Sequence, residues 1–178
     1  MAEMLLAELI KKEQLKPDIF KFSIKAPKIV EASKPGNFIE IRVTDQVEPF
    51  LRRPISIYNL NREEGILEFI FQVKGKGTKI LSEKQEGEKI DIIGPLGYGT
   101  FNYENKENLA IIGGGIGVFP LYELAKCAKK ENKKVNTYLG FRSQNFVVLE
   151  KEFEQVSDKL ILTTDDGSYS QKGFAINY

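Results

Sequence analysis

The sequence predicts two fold classes in series: a small antiparallel β-barrel up to residue 100, then an α/β doubly wound parallel sheet over residues 101–178 that is incomplete. Three observations carry this. The first half consists of short runs that alternate apolar and polar residues, separated by Gly and Pro. The second half alternates apolar strands with helix-patterned stretches. A cluster of glycines sits where the first of those strands meets the first of those helices.

In the first half, Ile19–Lys25 places Phe20, Phe22 and Ile24 on one face and Lys21, Ser23 and Lys25 on the other, the pattern of an antiparallel strand with one wet side. The turn-forming Lys34-Pro35-Gly36-Asn37 precedes a second run, Phe38–Val43. A third, Ile66–Val73, alternates as well, and a fourth, Lys89–Ile93, is expected to end at Gly94-Pro95. One short helix is expected from Thr78 to Lys84, with Thr78 as its cap. Gly94-Pro95-Leu96-Gly97-Tyr98-Gly99 reads as a rigid connection between the halves.

The second half opens with Asn108–Ile112, a continuous apolar run expected to be buried on both faces. Gly113-Gly114-Gly115-Ile116-Gly117 follows, and Pro120 is expected to open a helix to Lys130 with Leu121, Leu124, Ala125 and Ala128 at helical spacing. Val135–Phe141 reads as the next strand, Glu150–Val156 as a short helix and Lys159–Thr164 as a third strand, giving β-α-β-α-β.

Composition removes much enzyme chemistry. The 178 residues hold 26 basic and 25 acidic side chains, a net charge of +1 with no general attraction for nucleic acid or anionic membrane. They hold no histidine, which excludes a Ser-His-Asp triad, a Cys-His pair and His-ligated metal. The one cysteine, Cys127, forms no internal disulfide and is expected to be a small buried hydrophobe. Met1–Ile10 is interrupted by Glu3 and Glu8 and lacks a basic start, so neither a signal peptide nor a spanning helix is expected, and a cytoplasmic location follows. No catalytic side chain and no metal ligand is predicted.

Four motifs remain. A glycine turn between a strand and a helix offers backbone N–H groups to a phosphate; the alternative is a packing turn, and G-x-G-x-x-G is only partly met because Val118 takes the last glycine position. Leu51-Arg52-Arg53-Pro54-Ile55-Ser56-Ile57 sets two guanidiniums and a hydroxyl beside an extended backbone, suited to a diphosphate or simply an exposed basic strand edge. Gly75-Lys76-Gly77-Thr78 is a second phosphate cradle or a plain turn. Asp165-Asp166 caps a turn or contacts a nucleotide, the turn being preferred.

The order of these motifs resembles the ferredoxin–NADP reductase superfamily, in which a barrel binds FAD and an α/β domain binds a nicotinamide nucleotide. A closer resemblance is to the electron-transfer subunits of NAD-linked dihydroorotate dehydrogenase. Their FLRRPISI-, GKGT-, GPLG- and GGGIGVxPLYELAK-like stretches have counterparts at 50–57, 75–78, 94–97 and 113–126, and their late DDGS-G-KGF at 165–174. Plain ferredoxin reductases usually carry an aromatic residue in R-x-Tyr-Ser; Ile55 takes that place here.

The resemblance implies that Arg53, Pro54, Ile55 and Ser56 line FAD, with Arg53 on the diphosphate and Ser56 near the reactive ring nitrogen. It places Ile70, Phe71 and Gln72 along the flavin, Gly77 and Thr78 on phosphate, and Gly114, Gly115 and Gly117 around the nucleotide of NAD. It further implies a partner, the FMN-containing catalytic subunit, in a heterotetramer of pyrimidine biosynthesis: electrons from dihydroorotate pass through FMN, a 2Fe–2S cluster and FAD to NAD. The family's cysteine-rich segment and Cys-Gly-Pro motif have no counterpart before Tyr178, so either a C-terminally shortened form or a variant without the cluster is expected. The alternatives are another NAD(P)H-dependent flavin or ferredoxin reductase, or a non-catalytic nucleotide-binding fragment.

Overall fold

In the computed structural model, residues 2–98 and 101–178 are described, and Gly99 of the glycine-rich connection lies outside them. The chain divides into two compact units, residues 1–100 and 101–178.

The first unit is a closed barrel of six strands in the order β1-β2-β5-β4-β3-β6. These are β1 (Glu3–Lys16), β2 (Ile19–Lys25), β3 (Phe38–Arg42), β4 (Arg53–Asn61), β5 (Ile66–Gln72) and β6 (Lys89–Leu96), with helices α1 (Pro27–Ala32) and α2 (Lys76–Glu83). β1 is absent from the sequence reading. Its stretch Met4-Leu5-Leu6-Ala7 is apolar in both phases, which hides the period of 2, although only Leu5 and Ala7 turn inward while Met4 and Leu6 face solvent. This long strand serves two neighbours: Glu3–Glu8 pair with β6, and Glu8–Lys16 with β2. α1 is also unforeseen; Pro27 starts it, and it buries Ile29 and Val30 in the barrel core.

Three barrel expectations are corrected. β6 does not stop at Gly94-Pro95 but continues to Leu96. The β3 ladder shifts register between Phe38/Leu96 and Glu40/Ile93, leaving an extra residue on β6 where Pro95 has no N–H to give. α2 begins at Lys76 and ends at Glu83, with Gly75 rather than Thr78 at the N-cap. Thr78 lies one turn in, and its hydroxyl reaches back to accept the N–H groups of Lys74 (2.9 Å) and Gly75 (3.2 Å). The outer side of β2 is not fully wet either, because Ser23 is buried and donates to Glu68 at 2.9 Å.

The barrel interior is aromatic at its centre: the Phe22 ring lies 5.6 Å from Phe69 and 5.1 Å from Phe71. Leu9, Ile24, Ile39, Ile41, Leu67 and Leu81 close around them. Burial of each such side chain contributes about 1.5–3 kcal/mol, so the barrel fold rests on this cluster.

The second unit is a parallel sheet in the order β10-β9-β8-β7. It contains β7 (Asn108–Gly114), β8 (Lys134–Phe141), β9 (Lys159–Thr164), the short β10 (Gln171–Lys172), and helices α3 (Leu121–Lys130) and α4 (Glu150–Gln155). Tyr122 of α3 meets Phe153 of α4 edge-on at 5.7 Å, so both helices lie on one face of the sheet. β8 turns Val135, Thr137, Leu139 and Phe141 to a buried side.

Here β7 departs from expectation. It is an edge strand that pairs only with β8 among the described residues, and Ile111 is buried while Ala110 and Ile112 are exposed. A run apolar in both phases thus has only one covered face. Cys127 is likewise half-buried, donating from its thiol to Glu123 at 3.4 Å. α3 starts one residue after Pro120, because Gly115–Val118 first makes a 3-10 turn.

Candidate functional site

Two separate concave regions carry the motifs, one in each unit.

In the barrel, the β4–β5 ladder begins at Ile57/Phe69 and runs away from the motif. Among the described residues, Arg53–Ser56 therefore pair only with β3, and Ile70–Gln72 only with β2, so the two stretches flank an unzipped seam. Backbone groups on facing edges that no strand satisfies are available to a ligand. Side chains divide by phase. Arg53 and Ile55 lie opposite the buried Ile41 and Ile39 and share their inward side, whereas Pro54 and Ser56 lie outward and exposed. Phe71 is a core residue, stacked on Phe20 at 5.9 Å, and Gln72 donates to Asp18 at 2.5 Å. Ile70 is buried.

The two guanidiniums have different fates. Arg52 forms a bidentate pair with Asp91, both distances 2.9 Å. Arg53 instead folds over the start of α2. Its Nη1 donates to the carbonyls of Leu51 (2.5 Å) and Arg52 (3.3 Å), and a β-carbon added to Gly77 would stand 2.4 Å from its Nε. Gly77 is thus the gap in which the guanidinium lies. The first-turn N–H groups of Lys76, Gly77 and Thr78 have no intrahelical acceptor. Arg53 and this helix start form one positively polarised cradle, with the chemistry a diphosphate requires. The Thr78 hydroxyl is engaged within its own loop, so Thr78 offers the cradle its backbone N–H.

In the parallel sheet, the strand ends form a cleft of about 470 Å³. Ile112–Gly115 at the end of β7, Gly140–Arg142 at the end of β8 and Asp165 after β9 line it, and Phe174–Ile176 close the far side. This is the carboxyl end of the strands, where open α/β sheets take their ligands. Gly113 is required by packing, since a β-carbon there would lie 2.5 Å from Leu121. At Gly115 and Gly117 it would meet nothing within 4 Å, and at Gly114 only the Gly140 carbonyl at 3.7 Å. Gly115 has φ +53°, which glycine adopts without strain. Internal packing gives Gly114 and Gly117 no reason to be glycine, and space kept for a ligand does.

The aspartate pair is split. Asp166 caps its turn, accepting the Ser168 N–H at 2.9 Å and hydroxyl at 2.6 Å; the Ser168 hydroxyl holds its carboxyl below the ordinary range. Ser168 also accepts the Gln144 N–H at 2.8 Å, and the Tyr169 hydroxyl donates to Glu150 at 2.9 Å, raising the phenol's pKa. This bracing leaves Asp165 facing the cleft. Sequence reasoning missed the cleft's far wall, Phe174–Ile176, although Phe174 belonged to a motif it singled out.

The barrel with its anion cradle, together with a glycine-turn parallel sheet, defines the flavin-dependent reductase class, and the comparisons agree. The chain belongs to the oxidoreductase FAD-binding domain family, which it matches over residues 6–103, and it has the ferredoxin reductase-like fold. Its curated relatives include the electron transfer subunits of dihydroorotate dehydrogenase B (NAD(+)). That of Bacillus pumilus is 37% identical over 171 residues, covering 95% of this chain and 66% of the relative. That of Fusobacterium nucleatum is 40% identical over 163 residues, covering 90% and 62%. Among solved structures, a chain of the NADH-dependent reduced ferredoxin–NADP oxidoreductase superposes with TM-score 0.85 at 36% identity, covering 97% of this chain and 61% of that one. The ferredoxin reductase of carbazole 1,9a-dioxygenase shares the fold, with TM-score 0.81 at 21% identity, covering 99% and 56%. The chain spans about three-fifths of the length of the curated relatives it matches.

Proposed function

We propose that this chain is an electron-transfer flavoprotein module that holds FAD in the barrel seam and receives NAD at the parallel-sheet cleft. It would pass electrons between a partner's redox centre and NAD, as in the dihydroorotate dehydrogenase relatives. The partner in this reading is the FMN-containing catalytic subunit, in a heterotetramer of pyrimidine biosynthesis. The observation that supports it best is the Arg53 guanidinium lying in the gap at Gly77, beside an unzipped seam between β4 and β5.

FAD, when bound, supplies the hydride and electron chemistry. The chain's own residues bind and orient. Arg53 and the α2 N–H groups would neutralise the diphosphate, and Ser56 offers a short hydroxyl that donates or accepts at the ring edge. Unpaired backbone of Ile70–Gln72 would lie along the ring, and Ile55 would border it with aliphatic rather than aromatic surface. Gly114 and Gly115 at the cleft, with Gly117 on the turn beyond its lining, would allow the nucleotide's phosphates close to the backbone. This requires no acid–base side chain, consistent with a sequence without histidine.

A 2Fe–2S cluster does not fit these residues: it needs four protein ligands, and the chain has one cysteine, on α3 beside Glu123. No helix among the described residues is long and apolar enough to cross a membrane, and we infer that the module works in the cytoplasm. The 36% identity to the NADH-dependent ferredoxin–NADP oxidoreductase chain favours one second reading, a flavin or ferredoxin reductase with a different electron partner.

Titration of the chain with FAD tests the reading. Stoichiometric binding with a flavin spectrum, bleached by NADH under anaerobic conditions, is expected. Arg53→Ala should weaken FAD binding by about 10- to 100-fold, the loss of a charge-assisted contact. Absence of flavin binding would sink the proposal, while orotate formation with an FMN subunit separates dihydroorotate from ferredoxin partnership.

A further inference from the structure

Arg142 and Asp165 are the only charged residues lining the strand-end cleft, among the described residues. Phe141 and Thr164 are the last paired positions of β8 and β9, so the next residue on each strand, Arg142 and Asp165, leaves the sheet beside the other. The Asp165 N–H donates to the Phe141 carbonyl at 3.0 Å, which ties the two strand ends together. Phe141 and Thr164 are buried whereas Arg142 and Asp165 are exposed, so the two charged side chains share the open phase of their strands.

Neither side chain makes a hydrogen bond or an ion pair among the described residues. The polar groups around them are engaged: the Ser168 hydroxyl takes the Gln144 N–H and donates to Asp166, and the Tyr169 hydroxyl donates to Glu150. These contacts stitch the segment after β8 to the segment after β9. The two uncommitted charges therefore stand on a braced rim, where a ligand meets groups already positioned for it. In doubly wound sheets an acid near the end of the second strand accepts from the ribose 2′-hydroxyl of NAD, whereas an arginine there accommodates the 2′-phosphate of NADP. Here the second strand, β8, ends on the arginine, and the acid stands one strand further on. A phosphate monoester brings a charge of about −1.5 to −2, which Asp165 would repel and the single cation Arg142, offset by its neighbour, would not balance. A ribose hydroxyl instead donates to the carboxylate.

We propose that Asp165 reads the ribose 2′-hydroxyl and excludes a 2′-phosphate, so that the cleft takes NAD over NADP, and that Arg142 is a latent 2′-phosphate site which Asp165 silences. The assignment rests on the reading of this cleft as the nicotinamide-nucleotide site and adds the residue that sets its selectivity. Asp166, although adjacent in sequence, takes no part because its carboxylate is spent on the Ser168 turn.

Isothermal titration of the 178-residue chain with ADP-ribose and with 2′-phospho-ADP-ribose tests it, since neither probe carries nicotinamide and no electrons move. The wild-type chain should bind ADP-ribose at least about tenfold more tightly than the 2′-phospho form. Asp165→Asn keeps the shape and removes the charge. It should weaken ADP-ribose binding about tenfold, the loss of a charge-assisted hydrogen bond, and tighten the 2′-phospho form until the preference is lost or reversed. Adding Arg142→Gln should take that gain away again, and Asp165→Glu should keep the wild-type order. Circular dichroism and melting temperature should not change, because Asp165 is exposed. Should the Asn variant fail to fold, Asp165→Ser is measured in its place. Equal binding of both probes by the wild-type chain, or a preference indifferent to the loss of the carboxylate, would overturn the assignment while leaving the cleft a nucleotide site. Binding of neither probe would overturn the nucleotide reading of the cleft, and the selectivity with it.

Discussion

In the barrel, a β-carbon added to Gly65, Gly77 or Gly94 would approach Pro27, Arg53 or Ile39 at 2.7, 2.4 and 2.7 Å; in the parallel sheet, one added to Gly115 or Gly117 would meet nothing within 4 Å. The same residue type therefore answers two different demands. Barrel glycines such as Gly65 and Gly94 let the chain pack against itself, and Gly77 lets it place a guanidinium. The open glycines of the strand-end turn have no internal reason beyond the φ of Gly115; Gly115 lines the cleft, and Gly117 lies on the turn that follows. The contrast extends to burial: the barrel closes on its own aromatic centre, whereas among the described residues β7 leaves an apolar face exposed and one edge unpaired.

The largest test of that contrast is in the cores. Phe22→Ala, at a fully buried side chain between Phe69 and Phe71, should cost about 3–5 kcal/mol in denaturant unfolding. Ile112→Ala, half-exposed on β7, should cost no more than about 0.5 kcal/mol. A large loss at Ile112 would show that the β7 face is covered in solution. Next come the glycines. Gly113→Ala, forced against Leu121, should destabilise by about 1–3 kcal/mol. Gly117→Ala should leave stability within about 0.5 kcal/mol yet weaken NADH binding about tenfold, read by fluorescence titration; unchanged affinity would return the turn to plain packing.

Smaller effects follow. The Thr163 hydroxyl is buried without a partner among the described residues, so Thr163→Val should be neutral or stabilise by up to about 1 kcal/mol in thermal melts. Asp158 accepts from Lys129 Nζ and the Val135 N–H, both at 2.7 Å, and the Lys129 contact foremost holds its carboxyl below the ordinary 3.8. Because the folded value is depressed, this stabilisation is present above the unfolded pKa and is lost as pH falls through the folded one. Asp158→Asn should flatten that acid limb of the stability profile, and a limb of unchanged slope would remove Asp158 as its source.

Much of the fold was legible because its segments carry one period each. β3 alternates with period 2 and α3 repeats at helical spacing, so their local pattern and their burial agree, while β2 and β5 alternate in sequence but also bury Ser23 and Ile70 on their outer sides. β1 was not legible, since Met4 and Leu6 are apolar on the outer face and erase the alternation. The α2 start was misplaced for a related reason: Thr78 is a good cap by type, but its hydroxyl bonds backward from inside the first turn.

The candidate site divides along the same line. Sequence alone set the order of motifs, the absence of histidine chemistry and the glycine content of the turn, because these are properties of the chain itself. It could not say which of two adjacent arginines is committed to Asp91 and which lies over Gly77, nor that Asp166 caps a turn while Asp165 faces the cleft. It could not show that β4 and β5 part company beyond Ile57 and Phe69. Those outcomes depend on contacts between residues far apart in the chain, such as the 39 positions separating Arg52 from Asp91, and only the folded structure brings such partners together.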